Sequence, residues 1–133
     1  RMTNACDTNI LLYLILPHSP KSRISRDIVS AGGIISVQVL NEFIAVARRK
    51  LKMNLQDALD ALAPIRQSFE IVPITEGTHK LAMAIAATTN FSVYDCNIIA
   101  AAELAGCDVL YTEDMNHDQR VGRVTILNPF LAV

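Results

Sequence analysis

The chain has 133 residues, 51% hydrophobic and 19% charged, enough for one domain with a buried core and too apolar for a disordered segment. Aromatics make up 5% and tryptophan is absent, so the core is expected to be aliphatic. A net charge of −1 excludes a general electrostatic affinity for nucleic acid or anionic membranes. Any polyanion binding must come from a local basic patch or a bound cation.

The three cysteines, Cys6, Cys96 and Cys107, are odd in number and lack C-x-x-C spacing, so they read as reduced thiols of a cytoplasmic protein. The apolar "ILLYLIL" follows Asp7 and precedes no small-residue cleavage site, and it is too short to span a bilayer. A soluble protein with no membrane partner is expected. Neither a repeat nor a low-complexity linker divides the chain, and a single domain over residues 1–133 follows.

In chain order, "NAC" before Asp7 predicts a short strand, and Ile10–Leu16 an apolar helix. Ser19-Pro20 reads as an N-cap with proline at the first helical position, opening a helix that Gly32-Gly33 closes. "GIISV" (Gly33–Val37) is short, continuously apolar and β-branched, hence a second strand. A helix from about Val39 to Lys50 follows, with Leu40, Phe43, Ile44 and Ala47 at helical spacing. Asn54 caps the next helix, in which Pro64 predicts a kink or a split. "EIVPI" (Glu70–Ile74) is a third strand, and Pro73 places it at a sheet edge.

Thr75 caps a helix running to about Thr89, Tyr94-Asp95 opens another that Gly106 closes, and "DVLYT" and "VTIL" (Val124–Leu127) supply a fourth and a fifth strand. Short apolar strands alternating with helices predict an α/β fold with a mostly parallel sheet of about five strands and helices on both faces.

Ligands of open α/β sheets bind outside the carboxyl ends of the strands. Four acids from distant parts of the chain are placed to reach that edge: Asp7 after the first strand, Glu42 in the helix after the second, Asp95 at a helix start, and Asp114 after the fourth strand. Each alone has an ordinary structural explanation, as a turn residue, a helix cap or a solvated loop residue. Glu42 is the least easily explained, because apolar residues flank it. Together, two carboxylates about 4 Å apart repel by roughly 4 kcal/mol at an effective dielectric near 20. Protonation or a divalent cation must relieve that repulsion, and all-oxygen ligands suit Mg²⁺ or Mn²⁺ rather than Zn²⁺.

With these residues in place, the chain resembles PIN-domain ribonucleases, and among them the VapC-type toxins of bacterial toxin–antitoxin pairs. The pieces that carry the resemblance are "DTNILLYL", "SVQVLNEF" around Glu42, "YDCNIIAAAELAGCDVLYTEDM" and "VTILNPF", in an order that covers nearly the whole chain. The resemblance implies a three-layer α/β/α sandwich and metal-dependent cleavage of single-stranded RNA by water attack on the phosphodiester, leaving a 5′-phosphate and a 3′-hydroxyl. It also implies a cognate antitoxin and a homodimer. Carried over by position, Asp7, Asp95 and Asp114 anchor Mg²⁺ or Mn²⁺, and Glu42 completes the set as a ligand or as the group that orients water. In "YTEDM" the family pattern selects Asp114 and leaves Glu113 a bystander. Asn9 and Thr112 resemble residues that orient the carboxylates. The first strand is less apolar than is usual in the family, and Asn97 stands where a small or apolar residue is common.

Arg48, Arg49, Lys50 and Lys52, with Arg120 and Arg123, are candidate RNA contacts, although cations also favour helix C-termini. The tyrosines Tyr13, Tyr94 and Tyr111 are expected in core packing rather than base stacking. Asp118 reads as a loop residue in preference to an additional ligand, His117 as a loop residue, and His79 as a helix-surface residue. A haloacid-dehalogenase-type phosphoaspartate site would need Asp where Asn9 stands, and a receiver domain would need a lysine near the last strand. The alternative of another class is a non-enzymatic RNA- or protein-binding module on the same fold, whose signature would be loss of one or more of the acids.

Overall fold

The computed structural model describes residues 3–16 and 19–133. Its strands are β1 (Asn4–Cys6), β2 (Gly33–Ser36), β3 (Phe69–Val72), β4 (Val109–Tyr111), β5 (Arg120–Val121) and β6 (Val124–Leu127). Its helices are α1 (Thr8–Leu12), α2 (Pro20–Ala31), α3 (Val37–Arg49), α4 (Leu55–Gln67), α5 (Glu76–Thr88) and α6 (Val93–Leu104). The strands form one sheet in the order β3-β2-β1-β4-β6-β5, in which only β5 is antiparallel to its neighbour. The expected α/β architecture is therefore present with six strands instead of about five. The addition is β5, two residues at the edge, too short to leave a hydrophobic pattern.

Consecutive residues of β2, Ile34 to Ser36, are buried, which requires cover on both faces of the sheet. The core is largely aliphatic, with Phe43, Ile10, Leu11, Ile35, Ile99, Leu110 and Ile126 fully buried and Phe69 and Phe130 also in it. Helix starts follow their caps. Ser19, Ser36, Asn54, Thr75 and Ser92 each accept a hydrogen bond from a first-turn amide, which satisfies a backbone donor that the helix itself leaves unpaired.

Two local expectations change. The helix expected over Ile10–Leu16 is the shorter α1, after which Leu14 and Ile15 donate to the carbonyls of Leu11 and Leu12 and tighten the chain into a turn. A helix of five residues is not stable alone, so α1 is fixed by burial of Ile10 and Leu11, about 1.5–3 kcal/mol each. Pro64 does not split α4: its missing amide forfeits one bond to the carbonyl four residues back, and burial of Leu62 and Ile65 on either side holds the helix to the core. Pro73 lies just past β3, which is an edge strand as expected. Gly33 is required where β2 begins: its φ is +135°, and a Cβ there would stand 2.2 Å from the Asn4 carbonyl oxygen of β1. Among the described residues no helix is long and apolar enough to cross a membrane.

Candidate active site

The strand order reverses at β1, whose neighbours are β2 on one side and β4 on the other. Carboxyl ends meeting at such a point leave a crevice, and here it is a cleft of about 700 Å³ lined by Asp7, Glu42, Asp95 and Asp114. Asn9, Gln38, Arg49, Lys50 and Tyr94 share its wall. The structure thus brings together the four acids singled out in the sequence, each from a different element.

Asp7 directly follows β1 and caps α1, and only 4% of its surface is exposed. One carboxylate oxygen accepts the Thr8 amide at 2.7 Å, and the other accepts the buried Thr112 hydroxyl at 2.7 Å. Burial pushes its pKa up, those two hydrogen bonds pull it down, and repulsion from Asp95 and Glu42 pushes it up again, to about 7. Glu42, one and a half turns into α3, accepts the Thr8 hydroxyl at 2.8 Å and the Gln38 amide at 2.9 Å. Thr8 therefore links both acids, donating from its backbone to Asp7 and from its side chain to Glu42.

Asp95 is not the cap of α6. Ser92 takes that role and accepts the Asp95 amide at 3.1 Å, which leaves the Asp95 side chain in the first turn, at the positive end of the helix. Its pKa is nevertheless raised, chiefly by burial and further by repulsion from Glu42 and Asp114, against the Ser92 hydrogen bond. Asp114 receives the Asn9 side-chain amide at 2.7 Å, and its backbone amide donates to Thr112 Oγ1 at 3.2 Å. Asn9 and Thr112 accordingly contact the carboxylates they were expected to orient.

None of the four acids takes part in an ion pair among the described residues. Glu113 does: it pairs with Lys21 and accepts the Tyr13 hydroxyl at 2.6 Å. Its partial burial would raise its pKa, but the Lys21 and Tyr13 hydrogen bonds and the Lys21 charge outweigh that and lower it. Of the two acids of "YTEDM", Asp114, the one the resemblance selects, lines the cleft and Glu113 does not.

Of the basic candidates, Arg49 and Lys50 line the cleft, whereas Arg48 and Lys52 adjoin them in sequence without forming its wall. Arg120 and Arg123 lie elsewhere. Arg120 is level with Thr125 and Thr125 with Val109, the amino end of β4, opposite the edge that carries the acids. Arg123 faces Asp108 there at 3.8 Å. Tyr94, expected in the core, is 65% exposed at the cleft. Asp118 is exposed with φ +69°, its amide bound to the Ile126 carbonyl, and it does not line the cleft.

His117 is exposed and accepts the Asn128 amide at 2.9 Å through Nδ1. The three cysteines are buried free thiols. Burial first, then Asp7 and Cys107, pushes the Cys6 thiol up, and burial first, then Asp95 against the Thr89 hydrogen bond, does the same at Cys96, so neither is a ready nucleophile. Sequence reading missed Gln38 and Lys21. An i,i+4 spacing to Glu42 announces Gln38, whereas Lys21 meets Glu113 only through the tertiary fold.

In their present rotamers no three Asp, Glu, His or Cys side chains among the described residues close on one metal position. The donor chemistry nonetheless fits a hard divalent cation. The donors are all oxygen, repulsion from neighbouring acids helps to raise the pKa of Asp7 and of Asp95, and Asp95 and Asp114 are half-buried and exposed, respectively, beside the buried Asp7.

The model of the PIN domain matches residues 5–122. Comparison with curated protein sequences gives no match. Among solved structures, a toxin–antitoxin complex from Klebsiella pneumoniae superposes with a TM-score of 0.72 at 21% identity, covering 96% of this chain and 98% of that one. VapBC2 from Rickettsia felis, bound to a DNA fragment from its promoter, gives 0.70 at 17% identity over 94% and 97%. VapC20 from Mycobacterium tuberculosis, described as a sarcin-ricin loop cleaving toxin, gives 0.65 at 16% identity over 81% and 87%. These likenesses concern the fold, and the family model spans the strands, helices and acids that build the cleft: the chain belongs to the PIN-domain family.

Proposed function

We propose that the protein is an Mg²⁺- or Mn²⁺-dependent endoribonuclease that cleaves single-stranded RNA, and the toxin of a toxin–antitoxin pair. The observation that carries this reading is the cleft itself, with four carboxylates from four elements, free of ion pairs among the described residues, beside Arg49 and Lys50. A surface that merely bound RNA would not concentrate four uncompensated acids, and a protein-binding module would instead need a basic partner segment in the cleft, so loss of metal-dependent cleavage with retained partner binding separates the two readings.

Asp7, Asp95 and Asp114 would hold the cation, with Glu42 completing the set or orienting the attacking water. When bound, such a cation polarises phosphoryl oxygens, activates water and offsets the charge of the phosphodiester. The chain's own contribution is position. Thr112 and the Thr8 amide fix Asp7, the Thr8 hydroxyl and Gln38 fix Glu42, and Asn9 fixes Asp114. Arg49 and Lys50 would contact phosphates along the strand. A water nucleophile leaves the RNA 2′-hydroxyl unused and yields a 5′-phosphate and a 3′-hydroxyl.

Among the similar structures are a toxin–antitoxin complex and VapBC2, which support an antitoxin partner, and a toxin described as cleaving the sarcin-ricin loop, which supports an RNA substrate. A homodimer of single PIN-like domains over residues 1–133, acting in the cytoplasm, accords with the same resemblance. The test is cleavage of a labelled single-stranded RNA by antitoxin-free protein in Mg²⁺, Mn²⁺ or EDTA, beside Asp95→Asn and Asp114→Asn. Metal-dependent cutting lost in both folded variants supports the nuclease. Equal cutting by the variants, or neither cutting nor divalent-metal binding by the wild type, refutes it.

A further inference from the structure

Glu113 and Asp114 are adjacent carboxylates with opposite fates. Asp114 and Asn9 line the cleft, while Glu113 and Lys21 do not. The separation is built by parts remote in sequence. Glu113 accepts the Tyr13 hydroxyl with one oxygen, at 2.6 Å, and the Lys21 ammonium with the other. Lys21 Nζ also lies 3.3 Å from the Tyr13 hydroxyl, 5.2 Å from the Tyr13 ring centroid and 5.6 Å from that of Phe130. Those two rings meet edge to face at 5.1 Å, and Ser22 Oγ donates to the Tyr13 carbonyl at 2.7 Å. The segment after α1, the start of α2, the loop after β4 and the C-terminal turn thus converge on one carboxylate.

Asn9 connects this cluster to the acids. Its Oδ1 accepts the Glu113 amide at 3.2 Å, and its Nδ2 donates to Asp114 Oδ2 at 2.7 Å. Where Glu113 is pinned, its backbone sets the Asn9 side chain, and Asn9 sets the Asp114 carboxylate.

We propose that Lys21 and Tyr13 are positioning residues for the acidic site: they hold Glu113 outside the cleft and, through Asn9, fix the orientation of Asp114. The inference rests on the metal site proposed above and adds residues to it that do not touch the metal. A purely structural role fits less well, because the Lys21–Glu113 pair is partly exposed, with 33% and 23% of the side chains accessible, and such pairs contribute little to global stability. Burial of Ile10 and Leu11 already secures α1.

The test titrates Mn²⁺ calorimetrically into metal-free wild type, Lys21→Met, Lys21→Arg and Tyr13→Phe, and measures RNA cleavage by the same proteins. Partners that orient metal ligands typically matter 10–100-fold, so for these more remote residues Lys21→Met should weaken Mn²⁺ binding about tenfold. It should lower kcat while leaving KM for RNA within about twofold, the mark of lost positioning and not of lost substrate binding. Lys21→Arg, which keeps the charge-assisted bond, should recover both to within about threefold, and Tyr13→Phe should weaken Mn²⁺ binding by about threefold. A folded Lys21→Met that binds Mn²⁺ like the wild type, or an arginine variant no better than methionine, overturns the proposal. If Lys21→Met fails to fold, Tyr13→Phe decides, and unchanged Mn²⁺ affinity there overturns it. Failure of the wild type itself to bind Mn²⁺ overturns the metal site and this inference with it, a result distinct from the others.

Discussion

Replacing Asp7 by asparagine removes the one nearly buried carboxylate of the cleft, and the metal-free protein should become more stable for it. The Asp7 pKa stands at about 7 in the folded chain against an ordinary 3.8, mainly because burial disfavours the charge. Below about pH 4 folded and unfolded chains both carry the proton. Between about 4 and 7 only the folded chain keeps it, so raising the pH erodes stability by about 1.4 kcal/mol per pH unit, and above about 7 the loss is complete. The gap between 3.8 and about 7 corresponds to roughly 4 kcal/mol. Asparagine escapes that cost with nearly the same shape: its oxygen can accept the Thr8 amide and its amide can face Thr112 Oγ1. Allowing about 1 kcal/mol for the rearranged hydrogen bonds, the variant should exceed the wild type by about 3 kcal/mol at pH 8.

Urea unfolding of both proteins in EDTA, at unit steps from pH 4 to pH 8, measures the difference directly. The pH responses of Asp95 and Glu113 are common to both proteins and largely cancel. The gap should widen from pH 4 to pH 7 and then level off. Added Mn²⁺ should narrow it at pH 8, since only a chain that binds the ion gains from it. Two results would sink the reasoning: a variant no more stable than the wild type at pH 8, or a gap that does not change with pH.

Thr112→Val deletes both the donor to Asp7 and the acceptor of the Asp114 amide, so Mn²⁺ affinity measured by calorimetry should fall about 10–100-fold, whereas Thr112→Ser should stay near wild type. Arg49→Ala and Lys50→Ala should each weaken binding of a non-cleavable RNA and reduce the slope of log K against log salt by about 0.7, while Arg120→Ala and Arg123→Ala leave both unchanged. Gly33→Ala would set a methyl 2.2 Å from the Asn4 carbonyl at a φ that L-residues avoid, and should cost about 3 kcal/mol or more in urea unfolding.

Three of the four acids were legible in the sequence because they are local to a boundary that announces itself, whereas Glu42, inside α3, stood out by its apolar flanks. Asp7 ends a strand, Asp95 sits in the first turn of a capped helix, and Asp114 follows an apolar run, while a parallel sheet sends all such boundaries to one edge. Even there the role of Asp95 was ambiguous until Ser92 proved to be the cap. The cations were harder to read, since a lysine or arginine carries no positional rule beyond the helix terminus. Lys50 and Arg120 look alike as text, and only the strand register, which places Arg120 level with the amino end of β4, separates them. Strand β5 was invisible for a related reason: two residues at an edge bury too little to impose a pattern.

What remained out of reach shares one property, dependence on contacts between segments far apart in the chain. No physical feature near "TEDM" says which of its two acids faces the cleft, because Lys21 and Tyr13, 92 and 100 residues away in sequence, meet Glu113 in space. A family pattern can name Asp114, but the physical selection works through charge: the carboxylate that meets an ammonium is neutralised and withdrawn, and the one that meets only an amide keeps its charge available. The same rule accounts for the whole cleft. Among the described residues the four acids form no ion pair, although Arg49 and Lys50 share the wall, and their hydrogen-bond partners are neutral donors, Thr8, Asn9, Gln38, Ser92 and Thr112. Neutral donors orient a carboxylate without cancelling it, so the negative charge of the cleft stays available, and the proposed binding of a divalent cation rests on that.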